Sequence, residues 1–152
     1  MSGPLHRATW LAALLVSPVA LAGAEIRILD ANDSGQGLND RTPADPVGGN
    51  PGTTVGEQRL IAAQYAAALW SATLGNRVPI TIRTEFVDLD CSGGTAVLGA
   101  SGPSALYDDN RYPAALANER AGRDLDPGRE EIDSRFNGRV GRSDCGITSW
   151  YT

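Results

Sequence analysis

The stretch that decides the fold is "TVGEQRLIAAQYAAALWSATLG", residues 54–75. Thr54 followed three residues later by Glu57 is a capping box, in which each side chain satisfies a backbone N–H of the other. Leu60, Ile61, Tyr65, Ala68, Leu69 and Ala72 recur at helical spacing, and Trp70 and Leu74 widen the apolar face. Gly75 supplies a stop. The spacing predicts one long helix over about 56–74. Almost every position is apolar or alanine, so the helix is expected to be buried on more than one side.

Both flanks of this helix read differently. Upstream, "EIRIL" (25–29) alternates charged and apolar residues as a short strand does. Residues 30–54 that follow are rich in Gly, Pro, Asn and Asp and carry no periodicity, so they predict a long exposed loop. A loop this long in a small domain often has a function. Downstream, "VPITIRTEFVDL" places Ile80, Ile82, Thr84 and Phe86 on one face and Thr81, Arg83 and Glu85 on the other, the pattern of a half-buried strand. "YPAALANERAG" predicts a short helix over about 113–121, with Pro113 in its first turn and Gly122 closing it. "EIDSRFNG" alternates Ile132, Ser134 and Phe136 as a third strand. The order β-α-β-α-β predicts an α+β domain with a small sheet.

Residues 1–24 have the layout of a secretory signal peptide. His6 and Arg7 precede an apolar run over 8–22, and "ALAGA" offers small residues for cleavage after Ala22 or Ala24. The run is short for a membrane span of about 30 Å and contains a proline. Residues 25–152 then form one exported domain, periplasmic or extracellular, with no membrane segment after cleavage. Removing Arg7 leaves 12 arginines, no lysine and 18 carboxylates, a net charge of −6. Nucleic-acid binding needs a basic patch, so that partner class is excluded. The only histidine is His6. A Ser-His-Asp or Cys-His site, or a zinc site built on imidazoles, cannot therefore be assembled from the mature chain alone.

Cys91 and Cys145 are the only cysteines. In an exported protein such a pair reads as a disulfide. Closing a loop of this length is worth about 3–4 kcal/mol in the chain-entropy view. "DANDSGQG" places Asp30, Asn32 and Ser34 at the first, third and fifth positions of a calcium loop. The twelfth position holds Arg41 where a bidentate glutamate is required, and an Asx-rich turn accounts for the same residues. Asp33-Ser34-Gly35 matches the nucleophile motif of aspartic proteases in one copy only, and that chemistry needs two. Asp124, Asp126, Glu130, Glu131 and Asp133 crowd one turn, where paired carboxylates for glycoside hydrolysis compete with an ordinary charged surface.

Six stretches in order carry a family resemblance: "GLNDRTPADPVGGNPGTTVGEQRLIAAQYAAALWSATL", "VPITIRTEF", "CSGGTAVLGASGP", "YPAALANERAGRDLDPG", "EIDSRFNG" and "C…SWYT". Together they resemble the amino-terminal part of a family of secreted bacterial zincin-like metalloproteases, some of which carry a protease-associated domain. The resemblance spans residues 26–151 and is most specific over 37–74. It implies a partial zincin-like domain, a small twisted sheet backed by the long helix. It also implies a His-Glu-x-x-His zinc helix that would follow the Trp150-Tyr151 pair and pack on the same sheet face. In the full-length family zinc is the expected cofactor and a peptide or protein the substrate. The sequence ending "SDCGITSWYT" is accordingly expected to lie inside a longer fold, with no cofactor and no catalytic residue in this chain. The resemblance further implies a strand that pairs with substrate backbone, for which Ile132, Ser134 and Phe136 are the candidates. Two other classes stay open: a complete small exported binding module on the same scaffold, and a calcium- or glycan-binding surface protein. Oligomeric state is not legible in the sequence.

Overall fold

A computed structural model describes residues 23–92 and 95–146. The leader and the last six residues, with Trp150 and Tyr151, lie outside the described residues, as does cleavage candidate Ala22. The described chain is α+β. Strand β1 (Ile26–Asp30) leads through the long loop into helix α1 (Val55–Thr73) and then β2 (Ile80–Val87). Four short strands follow: β3 (Cys91–Ser92), β4 (Thr95–Ala96), β5 (Gly99–Pro103) and β6 (Leu106–Tyr107). Then come β7 (Tyr112–Pro113), helix α2 (Ala114–Ala121) and β8 (Ile132–Asn137). The main sheet has the order β1-β2-β8-β5, with β1, β2 and β8 parallel and β5 antiparallel at the edge.

The two faces of this sheet differ in kind. One carries Ile26, Ile28, Ile80, Ile82, Thr84, Ile132 and Ser134, in register across β1, β2 and β8. The other carries a closed ring of alternating charge. Arg83 bonds Glu85 at 2.8 Å and Asp133 at 3.0 Å, and Arg135 reaches Glu85 at 3.3 Å and Asp133 at 3.2 Å. Hydrogen bonds to Glu85 and then Asp133 hold the Arg83 guanidinium above its ordinary basicity. Charged side chains keep their hydration at a surface, so the charged face is the solvent face and the apolar one faces α1.

Helix α1 starts where the capping box predicts, with Thr54 Oγ1 accepting from Glu57 N and Glu57 accepting from Thr54 N. Its first four N–H groups are all satisfied, by Thr42 O, Asp40 O, Thr54 Oγ1 and Thr54 O. Two of those acceptors come from the long loop, which is thus bound to the helix instead of hanging free. Gly56 makes this possible: a Cβ there would meet Leu38 O and Asp40 N at 2.6 Å. Gln58 and Asn50 stitch the rest of the loop down. Gln58 Nε2 donates to Asp45 O and Gly52 O, and Asn50 Nδ2 donates to Gln58 O.

The helix lies over β1 at one side of the sheet, and burial on more than one side is not observed. Only Gly56, Gln58 and Ala67 are buried, while Tyr65, Leu69 and Trp70 are 67%, 55% and 60% exposed. The reason is position: among the described residues α1 packs chiefly on β1 and on the turn at 37–39, which leaves Tyr65, Leu69 and Trp70 exposed.

Helix α2 ends at Gly122 in the left-handed conformation, φ 67°, as the sequence implies. It is tied to the sheet by polar staples. Asn118 Nδ2 donates to Glu131 Oε1 at 2.9 Å, and buried Glu131 accepts Thr81 N at 2.6 Å. Cys91 and Cys145 form the expected disulfide, with Cα atoms 5.0 Å apart. Beside it Asn137, fully buried, donates to Val97 O and accepts from Arg139 N.

Two outcomes follow. Gly56→Ala would ordinarily stabilise a helix, yet here the clash with loop backbone should cost about 1–3 kcal/mol; the shift in a urea midpoint reads it. Reducing the disulfide should cost about 2–5 kcal/mol, seen as a lowered Tm in dithiothreitol that the Cys91→Ser/Cys145→Ser variant reproduces without reductant.

Candidate functional site

The sheet offers two features that can engage another chain. The first is an apolar trough of about 370 Å³ between α1 and the sheet. One wall is Ala63, Ala66, Trp70 and Leu74 of α1; the floor is Ile26, Ile28, Ile80, Ile82, Ile132 and Phe136. The alternation of β2 and β8 puts these side chains on one face, and the alanines of α1 keep the wall low enough to leave the trough open.

The second feature is the free edge of β5. Asn137 N donates to Leu98 O and Ser104 N donates to Glu131 O, which sets the hydrogen-bonding phase against β8. Gly99 and Ser101 therefore turn N–H and C=O outward, and Pro103 turns out only a carbonyl. All five residues of β5 are exposed, and Ser101 Oγ bonds Ser134 Oγ across the pair at 2.8 Å.

The substrate-strand candidates Ile132, Ser134 and Phe136 sit elsewhere in the sheet. β8 is paired with β2 on one side and β5 on the other, so its backbone has no edge to offer. Their side chains instead contribute to the trough floor. The strand at this end of the sheet is β5, a glycine-rich segment whose sequence lacks alternation and so gives no strand signal.

Of the calcium candidates, Asp30 and Asn32 already have their side-chain oxygens engaged. Asp30 accepts Asn32 N at 2.9 Å and Asn39 Nδ2 at 2.5 Å. Asn32 works as a substitute strand: its Nδ2 donates to Phe86 O and its Oδ1 accepts Phe86 N, both at 2.9 Å. Coordinating a cation through Asn32 Oδ1 would break that bond. Ser34 lies exposed in the adjoining turn. Gly37, at φ 54°, is required here because a Cβ would fall 1.8 Å from Asn32 Oδ1.

The zinc that the family resemblance implies does not fit the donors present. Among the described residues no group of three His, Cys, Asp or Glu could hold a metal ion, and both cysteines are spent on the disulfide. The clustered carboxylates have structural partners: Glu131 binds Thr81 N, and Asp133 closes the charged ring. Cleavage candidate Ala24 is fully buried, and its N–H donates to Ser71 O and Leu74 O at the end of α1. A chain cut after Ala22 keeps both bonds; one cut after Ala24 loses them.

Fold and site together define an α+β protein with a mixed sheet, one apolar face partly covered and, among the described residues, one antiparallel edge unpaired. No protein-family model matches the chain, and searches of curated proteins and of solved structures likewise return no match. Among the described residues no helix is long and apolar enough to cross a membrane.

The openness of the trough has a measurable signature. A buried Trp→Ala change costs about 3–5 kcal/mol, but Trp70→Ala should cost under about 1 kcal/mol and reduce fluorescence of the dye ANS bound to the protein. Ile80→Ala, at a position 5% exposed, should cost about 2–5 kcal/mol.

Proposed function

We propose that this chain is the amino-terminal portion of a secreted zincin-like metalloprotease scaffold, non-catalytic as it stands. It supplies the sheet, the backing helix and the edge strand. The observation that carries this reading is the trough. It lies on the same sheet face as α1 and is lined mainly by isoleucine, alanine, Trp70, Leu74 and Phe136. In a zincin-like scaffold the helix bearing the zinc ligands packs on that face. The free antiparallel edge of β5 supports the reading as well, because an extended substrate can add there through main-chain hydrogen bonds. Export is supported by the apolar leader and by the disulfide, which persists in oxidising compartments.

The trough equally suits a small exported binding module whose recognition surface is this face, and one experiment separates the two readings. The purified protein should bind no stoichiometric zinc and hydrolyse no peptide in a chelator-sensitive way. A synthetic amphipathic peptide of about 18 residues, five helical turns, should raise its Tm and slow amide exchange in β2 and β8. If that peptide also carries a His-Glu-x-x-His run, the mixture should gain one bound zinc. Helix binding without zinc uptake favours the binding module. Zinc bound one-to-one by the protein alone, with chelator-sensitive peptidase activity, overturns the proposal.

A further inference from the structure

A second recess is larger than the trough. It measures about 930 Å³ and opens at the carboxyl ends of β1, β2 and β8, beside the first turn of α1. Ligands in open sheets with parallel strands collect at that end, where loops diverge and strand carbonyls end. The helix terminus itself has nothing to offer a ligand, since its four N–H groups are taken. What the recess does hold is an arginine in an unusual position.

Arg59 reaches into the recess from α1 with its side chain only 10% exposed. Its guanidinium carbon lies 4.1 Å over the Phe86 ring. Nη1 donates to Gly37 O at 3.1 Å, and the one carboxylate near it, Asp40, stands off at 3.7 Å. A guanidinium has five N–H donors. One hydrogen bond and one long ion pair leave most of them without a partner. No fully buried side-chain nitrogen among the described residues lacks a hydrogen bond, so the spare donors of Arg59 touch open space. That space is the recess.

A second guanidinium lines the same recess. Arg142 is held on the turn after β8 and pairs with Asp88 at 3.3 Å, both groups being more than half exposed. Burial lowers the basicity of Arg59; Asp40 opposes that and Arg142 adds to it, so the two cations are close enough to repel. An anion between them would relieve the repulsion and occupy the spare donors.

We propose that this recess binds a carboxylate-bearing ligand, clamped between Arg59 and Arg142. A carboxylate is planar, carries one charge and takes the bidentate fork of a guanidinium. The acidic rim favours a singly charged anion over a doubly charged one. Asp33, Asp40 and Asp88 all face the recess, and two of them already hold the arginines loosely. Exposed pairs such as Arg142–Asp88 are worth little and yield readily to a ligand. Glu85 does not compete, because Arg83 and Arg135 engage it from the charged face. The phenyl ring under Arg59 fixes the plane of its guanidinium, so the ligand meets a rigid fork.

The test is calorimetric titration of the purified protein with an uncharged acetylated tetrapeptide bearing a free carboxyl terminus, its carboxyl-terminal amide, the same amide with a glutamate side chain, and inorganic phosphate. The free-terminus peptide, the glutamate peptide or both should saturate, at least about tenfold tighter than the plain amide. Which of the two binds better names the source of the carboxylate. Arg142→Met should weaken that binding about tenfold with Tm unchanged, because Arg142 is exposed. Arg59→Met should abolish it; if that variant does not fold, Arg142→Met alone decides. Equal binding of the plain amide, tighter binding of phosphate, or undiminished binding by Arg142→Met would overturn the proposal.

Discussion

Everything in this fold hangs on how closely the backbone of α1 approaches the loop before it. Gly56 permits contact with Leu38 and Asp40 at distances no side chain could share. That contact lets Thr42 and Asp40 carbonyls cap the helix, so residues 37–54 become the socket of α1. The socket also fixes Arg59, whose guanidinium must reach Gly37 O across the same junction. Because the loop leaves β1 directly, a helix seated in this socket can lie only over β1. The trough beside α1 is a geometric consequence of that seat, and so is the recess at the strand ends.

Strict patterns were readable and irregular ones were not. The capping box at Thr54 and Glu57, the alternation over 80–86 and over 132–136, and Gly122 as a left-handed stop each arise from a local rule, and each element lies within a residue or two of its expected bounds. The Cys91–Cys145 pairing needed only a count. β5 escaped because its five residues are Gly, Ala, Ser, Gly and Pro, whose pairing is imposed by β8 and not by any preference of their own. Asn32, Asn118 and Asn137 escaped for a different reason. Each substitutes side-chain amide for backbone across a gap in regular structure, a role set by partners 13 to 54 residues away. No periodicity in a sequence announces such a partner. Arg59 is the same kind of case: its position on the helix is plain from spacing, but its stack on Phe86 depends on where β2 ends.

The asparagines also explain why a glycine-rich chain holds a defined shape. Buried amides that satisfy both donor and acceptor tolerate few alternatives, since a half-satisfied network costs more than an apolar substitute. Asn32 completes the β1–β2 pair after β1 has turned away, and Glu131 with Asn118 does the same between β2 and α2. These staples carry the specificity that a larger apolar core would otherwise supply, and they leave the apolar residues free to face outward.

That freedom sharpens the mismatch between the composition of α1 and its surroundings. A helix apolar nearly all round is ordinarily a buried helix. Here Tyr65, Leu69 and Trp70 meet solvent, and the floor beside Trp70 is isoleucine. Neighbouring strands lie about 4.8 Å apart, so β8 and β5 extend the sheet about 10 Å beyond β2. A helix with its side chains is about 10 Å across. Natural sequences agree with their folds at every level except where function intervenes. Helix α1 breaks that agreement at Tyr65, Leu69 and Trp70, the apolar side chains that its seat over β1 turns towards solvent among the described residues.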